Sequence, residues 1–547
     1  MGTLFVNGAV FDGHRYRGAG SVLVDGPVVE EVAQQPSRNP GIHDIVDLRG
    51  TLVAPGFIDA HVHAAQGGLE RRQCDLSEAG TRDDYLREVQ EYAAAHPDLP
   101  WILGGGWSMA AFPGGSPLAA DLDGIVPDRP VYLLNRDHHG VWVNTRALDV
   151  AGVHAETPDP ADGHFDRDGA GAPSGTLHEG AMGVVGRLLP ETDLRESYAG
   201  LLEGQRYLHS LGVTGWQDAV LGAYGGHADP APTYLLAAES GALTADVVGA
   251  LWWDRDRGLE QVEDLVARRE RFSHGRLRAT SVKIMYDGIA ENFTAAMLDP
   301  YLDGSGHPTS NAGHSFLSAG ELSAAVTALA GHGFQVHVHA IGDRAVRESL
   351  DAFAATGRPD LRPHIAHVQV IHPDDVPRFA FLGVTANLQA LWACLDDQMT
   401  DLTLPFLGAE RSRRQYPFGD LHRAGAALCA GSDWPVSTPD PLAALHVAVN
   451  RTAYDRPARA DSDSSPGRTD PFLPEQALDL ATAWAAYTSG SARINGRDRL
   501  DGAGVLAPGA AADLVVLDRD PFAGPVAEIA LARVVATYVE GREVYTA

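Results

Sequence analysis

Eight short apolar runs, spaced along the middle of this 547-residue chain, limit its fold more than any other feature. They read as strands at 52–60, 211–219, 245–253, 278–287, 333–340, 363–370, 382–390 and 426–434. Helix-like stretches such as 318–332 and 343–356 fall between them. Near-continuous apolar strands alternating with helices are the signature of a parallel sheet covered on both faces. Eight of them fit an α/β fold of the (β/α)8 TIM-like barrel type.

The two chain ends read differently. TLFVNGAVFDG is two apolar runs around Asn7-Gly8, a hairpin signal, and SVLVDGPVVEEV repeats it around Asp25-Gly26. The stretches 511–518 and 532–546 are again strands with glycine turns. Each end is too small to fold alone, so 1–53 and 495–547 are expected to complete one β-sandwich. The barrel then takes 54–70 and 200–494. The gap of roughly 150 residues between the first two strands is too long for an ordinary loop. It therefore holds an inserted α/β subdomain at 71–199. The Pro-, Ser-, Asp- and Arg-rich stretch 455–472 reads as a mobile loop near the last barrel strand.

A formal net charge of -30 argues against partners that are themselves polyanions, so nucleic acid and anionic membrane are not expected. Cys74, Cys394 and Cys429 are too few and too scattered for a disulfide framework or a CxxC metal site. No run approaches the ~20 apolar residues of a membrane span, and the start lacks the pattern of a signal peptide. A cytoplasmic enzyme with a small-molecule substrate is the expectation, with a homodimer as one assembly.

The chemistry sits at strand ends. In PGFIDAHVH, His61 and His63 are two apart at the end of the first run, so a strand points both the same way. At the C-terminal end of a barrel strand that direction is the active-site mouth. His337 and His339, His364 and His367, Asp433 and Lys283 fall in later runs. Singly, each histidine reads equally as a structural or surface residue. Their recurrence at successive strand ends argues for a metal, and imidazole with carboxylate is the donor set zinc favours.

The ordered set APGFIDAHVH, KIMYDG, HAIGD, HVQ, GSDWPV and GVLAPGAAADLVVLD resembles the amidohydrolase superfamily over essentially the whole chain. More narrowly it is similar to the YtcJ-like (amidohydrolase-3) branch, which includes N-substituted formamide deformylases. The resemblance implies a divalent metal centre of one or two ions, zinc by preference. His61 and His63 would bind one ion, His339 and His367 a second, and Asp433 would serve as ligand and base. It also implies that Lys283 is carboxylated on Nζ, as in many relatives; an unmodified lysine orienting substrate is the alternative. His337 is not needed by the branch motif. His364, three residues before His367, is expected to point to the opposite strand face.

A divalent ion lowers the pKa of water from about 15.7 toward 7, and a carboxylate beside it can shuttle the proton to a leaving amine. His139 in NRDHHG is expected to contact substrate or an oxyanion. Glu179 in SGTLHEG is a second contact, or else a solvated helix-start residue. Asp218 is placed behind the metals or in a turn. Among aromatics near expected strand mouths (Trp107, Trp252, Trp253, Tyr286, Phe293, Trp392), we take Trp107, Trp253, Phe293 and Trp392 as substrate-binding residues. Core packing is the competing account. Hydrolysis of a linear amide C–N bond is the leading reading. A deaminase or cyclic-amide hydrolase on the same centre is the alternative, and an inert binding subunit the remote one.

Overall fold

The computed structural model describes residues 2–35, 42–224, 227–454 and 470–547. Of the loop expected at 455–472, residues 455–469 lie outside the described residues. At the centre is an eight-stranded parallel sheet that is nearly closed into a barrel. Its strands, in chain order, are Phe57–Val62, Val213–Leu221, Asp246–Trp252, Leu277–Met285, Gln335–Ala340, His364–His367, Thr385–Leu388 and Ala427–Ala430. Each expected run contributes one. Helices on the outside, among them Ala319–Gly331 and Asp343–Thr356, bury the outer face, which is why these strands carry apolar residues almost throughout. A capping box between Ser318 and Glu321 starts the first of these helices where the sequence SAGE writes it.

The last strand meets the first through an irregular segment. Asp433 N–H donates to His61 O at 2.7 Å, and His63 N–H donates to Trp434 O at 2.8 Å. Ser432 N–H donates to the Asp59 carboxylate at 3.0 Å. Gly431 is required here, because a Cβ would lie 2.5 Å from His61 N. The suture that joins the edges therefore also presses GSDWP against the HxH pair.

Both chain ends join one eight-stranded sheet, made by pairing Leu514–Leu517 antiparallel to Leu52–Pro55. Phe5, Val22, Val53, Leu514 and Tyr538 pack in its core. Two expectations change. The run 52–60 is two strands in two sheets, broken at Gly56, whose N–H donates to Asp513 O at 2.9 Å and whose Cβ would meet Thr214 Cγ2 at 2.3 Å. Since both halves are buried, hydropathy has no signal for the break. Asn7-Gly8 is not a hairpin turn: Gly2–Phe11 is one strand, with a register shift and Asn7 at φ 57°. A single left-handed residue there makes a bulge instead of a reversal. Around Asp25-Gly26 the strands Tyr16–Asp25 and Val28–Ala33 do pair as a hairpin.

Between the first two barrel strands the chain forms a six-stranded sheet in the order 163–167, 173–179, 140–143, 131–135, 102–107, 74–75. It is tied back to the barrel by helix Ala64–Glu70, which starts at His63 and packs on helix Leu194–Ser210. Gly68, Gly200 and Gly204 let the two backbones touch, and a Cβ on Gly68 would lie 1.9 Å from Gly200 O. Backbone cannot move aside as a flexible side chain can. Gly68→Ala is expected to destabilise the fold by about 1–3 kcal/mol or more, measured by denaturant unfolding of metal-loaded protein. An unchanged midpoint would contradict this close packing.

Candidate metal centre

Asp59, His61 and His63 alternate along the end of the first barrel strand and share one face. His61 is buried, and behind it runs a chain of polar groups. Gln217 commits its amide nitrogen to Gln335 Oε1 and Asn495 Oδ1, both at 3.1 Å, so its oxygen accepts from His337 Nδ1 at 2.8 Å. His337 Nε2, 3.0 Å from His61 Nδ1, must then accept from it. The tautomer of His61 follows: Nδ1 carries the proton and Nε2 presents a lone pair, with Lys283 Nζ 3.3 Å from it. Burial, reinforced by the nearby Lys283 charge, lowers His61 to about 3, so the ring is neutral.

That Nε2 faces Asp433 Oδ1 at 3.0 Å, and His63 Nε2 lies 3.0 Å from the same oxygen. A lone pair set against a carboxylate oxygen is repulsive unless a cation offsets it, a role open to a metal ion or to the Lys283 ammonium beside Nε2. These donors lie within 4.8 Å of one another. His63 Nδ1 and His367 Nδ1 are buried without hydrogen-bond partners among the described residues. The donor set fits a divalent ion. Burial alone would raise the Asp433 carboxyl, but the imidazoles of His61, His63 and His367 around it hold it well below its ordinary range.

The remaining expected ligands line the same cavity, of about 430 Å³. Lys283 Nζ is 3.3 Å from His61 Nε2, and burial lowers its amine to about 7 against the opposing pull of Asp433. The His367 ring is 4.8 Å from His61 and 4.4 Å from His339, centroid to centroid. His339 Nε2 lies 3.3 Å from Gly288 O and 3.6 Å from Asp287 Oδ1. Trp392 stacks on His367 at 5.3 Å and 14°. Several of these positions use backbone that costs about 1–3 kcal/mol for a residue with a side chain. Asp433 has φ 56°, His367 φ 79°, His138 φ 61° and Glu179 φ 50°. Such outliers persist where the surroundings force them; His138, His367 and Asp433 line the cavity, and Glu179 stands behind His139.

His139 lines the cavity, and its Nδ1 is 2.9 Å from Glu179 Oε1. Burial opposes its charge, yet Glu179 raises it above the ordinary imidazole range. Glu179 is thus buried rather than solvated, and it stands behind His139, accepting also from Thr294 Oγ1 at 3.0 Å. Asp218 is taken up by the Tyr234 hydroxyl.

Three aromatic expectations fail in the structure. Trp107 is fully buried in the inserted sheet's core, its indole N–H on Leu133 O at 2.8 Å. Trp253 is turned into the barrel's outer core, while Trp252 faces the cavity in its place. Phe293 packs on Tyr301 and Phe406. His364 does not face away from the centre: its ring lies 4.0 Å from His337. The left-handed turn at His367 and Val368 breaks the strand alternation on which that expectation rested. Gln217 belongs to no motif in the sequence, and His337, which the branch motif does not need, shares the strand face of His339 through the HxH spacing.

A model of the amidohydrolase family matches residues 44–545. The chain belongs to that family. Protein LONG AFTER FAR-RED 3 of Arabidopsis thaliana is 32% identical over 91% of this chain and 83% of its own. The putative amidohydrolase YtcJ of Bacillus subtilis is 29% identical over 91% and 90%, which supports the YtcJ-like branch. The N-substituted formamide deformylase of Arthrobacter pascens is 25% identical over 91% and 89%. Among solved structures, an uncharacterized metal-dependent hydrolase from Pyrococcus horikoshii superposes with a TM-score of 0.73 at 24% identity, covering 96% of this chain and 99% of that one. An amidohydrolase of this family is a metal-dependent hydrolase, and His61, His63 and Asp433 are a candidate site for its ion. No helix among the described residues is long and apolar enough to cross a membrane.

Proposed function

We propose that this amidohydrolase cleaves the C–N bond of a linear amide, an N-substituted formamide or N-acyl compound, at a zinc centre. The observation that carries the reading is the convergence of His61 Nε2 and His63 Nε2 on Asp433 Oδ1, at 3.0 Å each, on the wall of a cavity large enough for a small molecule. His61, His63, Lys283, His339, His367 and Asp433 would hold one or two ions. A bound divalent ion polarises the amide carbonyl and makes hydroxide available near neutral pH. Asp433 takes up the proton at its carboxylate and returns it to the departing amine nitrogen. His139, whose charged form Glu179 favours against burial, donates to the oxygen that gains charge. Trp392 and Trp252 offer an apolar wall to the amine substituent.

The lowered Lys283 amine supports carboxylation. Its neutral nitrogen attacks CO2, forming an N–C bond and releasing one proton, and the carbamate gains the oxygen donors that an ammonium lacks. The -30 charge and the absence of a long apolar helix among the described residues support a cytoplasmic enzyme free of nucleic acid and membrane, with a homodimer as the assembly to test. The end-built sheet and the six-stranded insert are read as a β-sandwich domain and a subdomain. The test is a panel of formamides, N-acyl amino acids, cyclic amides and aminated heterocycles on zinc-loaded enzyme. Release of formate or another acid with an amine is expected. Ammonia release or ring opening alone would replace the linear-amide reading with deamination or cyclic-amide hydrolysis.

A further inference from the structure

A second constellation of metal-ligating side chains lies away from this cavity, on the outer hairpin of the inserted sheet. Strands Gly163–Arg167 and Pro173–Glu179 pair antiparallel with His164 directly opposite His178. One face of the hairpin sends Phe165 and Leu177 into the core. The other carries His164, His178 and, two residues along from His164, Asp166. The two imidazoles stack at 4.5 Å and 20°, and each addresses a different oxygen of the same carboxylate. His178 Nε2 is 3.2 Å from Asp166 Oδ2 and His164 Nε2 is 3.5 Å from Oδ1. All three donors fall within 4.8 Å of one another.

Two further features bear on what this cluster binds. Ser116 Oγ donates to Asp166 Oδ2, fixing the carboxylate as an outer partner fixes a metal ligand. His178 is 5% exposed and its Nδ1 is buried without a hydrogen-bond partner among the described residues, so the ring's polar contact is spent toward Asp166. His164 and Asp166 are partly exposed, which opens the cluster to solvent on one side. Asp159 and Glu179 add negative charge near His164. Two imidazoles and one carboxylate, held by a regular hairpin in an acidic setting, are the donors that first-row transition ions prefer over Mg2+ or Ca2+.

We propose that His164, Asp166 and His178 form a second divalent-metal site, separate from the catalytic centre and taking an imidazole-preferring ion such as Zn2+. Its position gives it a consequence. Glu179, the residue after His178, holds His139 on the cavity wall, so an ion here clamps the strand that sets that pair.

Equilibrium dialysis of the full chain against Zn2+ at neutral pH, read by elemental analysis, tests the assignment. His164→Ala is expected to bind one equivalent less than wild type, and His61→Ala to keep that equivalent. Asp166→Asn should lose it as well, and provides the measurement should His164→Ala prove insoluble. Ser116→Ala should weaken that binding step by about 10- to 100-fold. Equal stoichiometry in wild type, His164→Ala and Asp166→Asn would overturn the proposal, leaving the cluster as hydrogen-bonded side chains. Displacement of this equivalent by millimolar Mg2+ would overturn its imidazole character.

Discussion

Asp433→Asn should retain most of the bound metal and lose about 10²- to 10⁴-fold in kcat, the range a positioned acid–base group supplies. The substitution is isosteric, and asparagine tolerates the left-handed backbone that residue 433 adopts at φ 56°. The suture to His61 O is made by the backbone N–H of residue 433, so the join between the last and first barrel strands survives. What changes is the charge between His61 Nε2 and His63 Nε2, along with the ability to take a proton. Kinetics and metal analysis on one preparation separate the two. Wild-type turnover at full metal content would remove the base role. Proportional loss of metal and turnover would make Asp433 a ligand alone.

Much of this site was legible because barrel geometry turns a sequence into an ordered list of mouths. Each of the eight apolar runs contains a strand, and His61, His63, Lys283, His339, His367 and Asp433 occur within two residues of a strand's end or beyond it, in chain order. The misses have physical causes. The run 52–60 hides a switch of sheets at Gly56, because burial on both sides erases the alternation that would mark it. Trp107 and Phe293 are large apolar residues whose burial says nothing about which cavity they adjoin. Trp252 and Trp253 differ only by strand parity at a strand's last residue, where a one-residue error exchanges the faces. His364 departs from regular alternation because the backbone turns left-handed at His367. The Gln217–His337–His61 chain joins three different strands and carries no local sequence signature.

That chain makes His61→Ala the more severe of the two substitutions. His61 joins the Gln217–His337 pair to Asp433 and Lys283, and its Nε2 is the lone pair that the pair exposes. Removing it takes away a donor and leaves His337 Nε2 buried without its partner, a cost of about 1–3 kcal/mol. Activity is expected to fall to background, with loss of the ion held between His61, His63 and Asp433. Stability gives an independent reading. A ligand that binds only the folded state at about 1,000 times its Kd adds roughly 4 kcal/mol, so wild type should gain a large zinc-dependent increase in Tm that a chelator reverses. In His61→Ala that increase should shrink to the part contributed by the remaining ligands and the His164 cluster, while metal-free wild type and variant differ only by the lost hydrogen bond and cavity. A variant with wild-type turnover would refute the metal assignment. A variant that melts far below metal-free wild type would mean that His61 is needed chiefly to build the barrel.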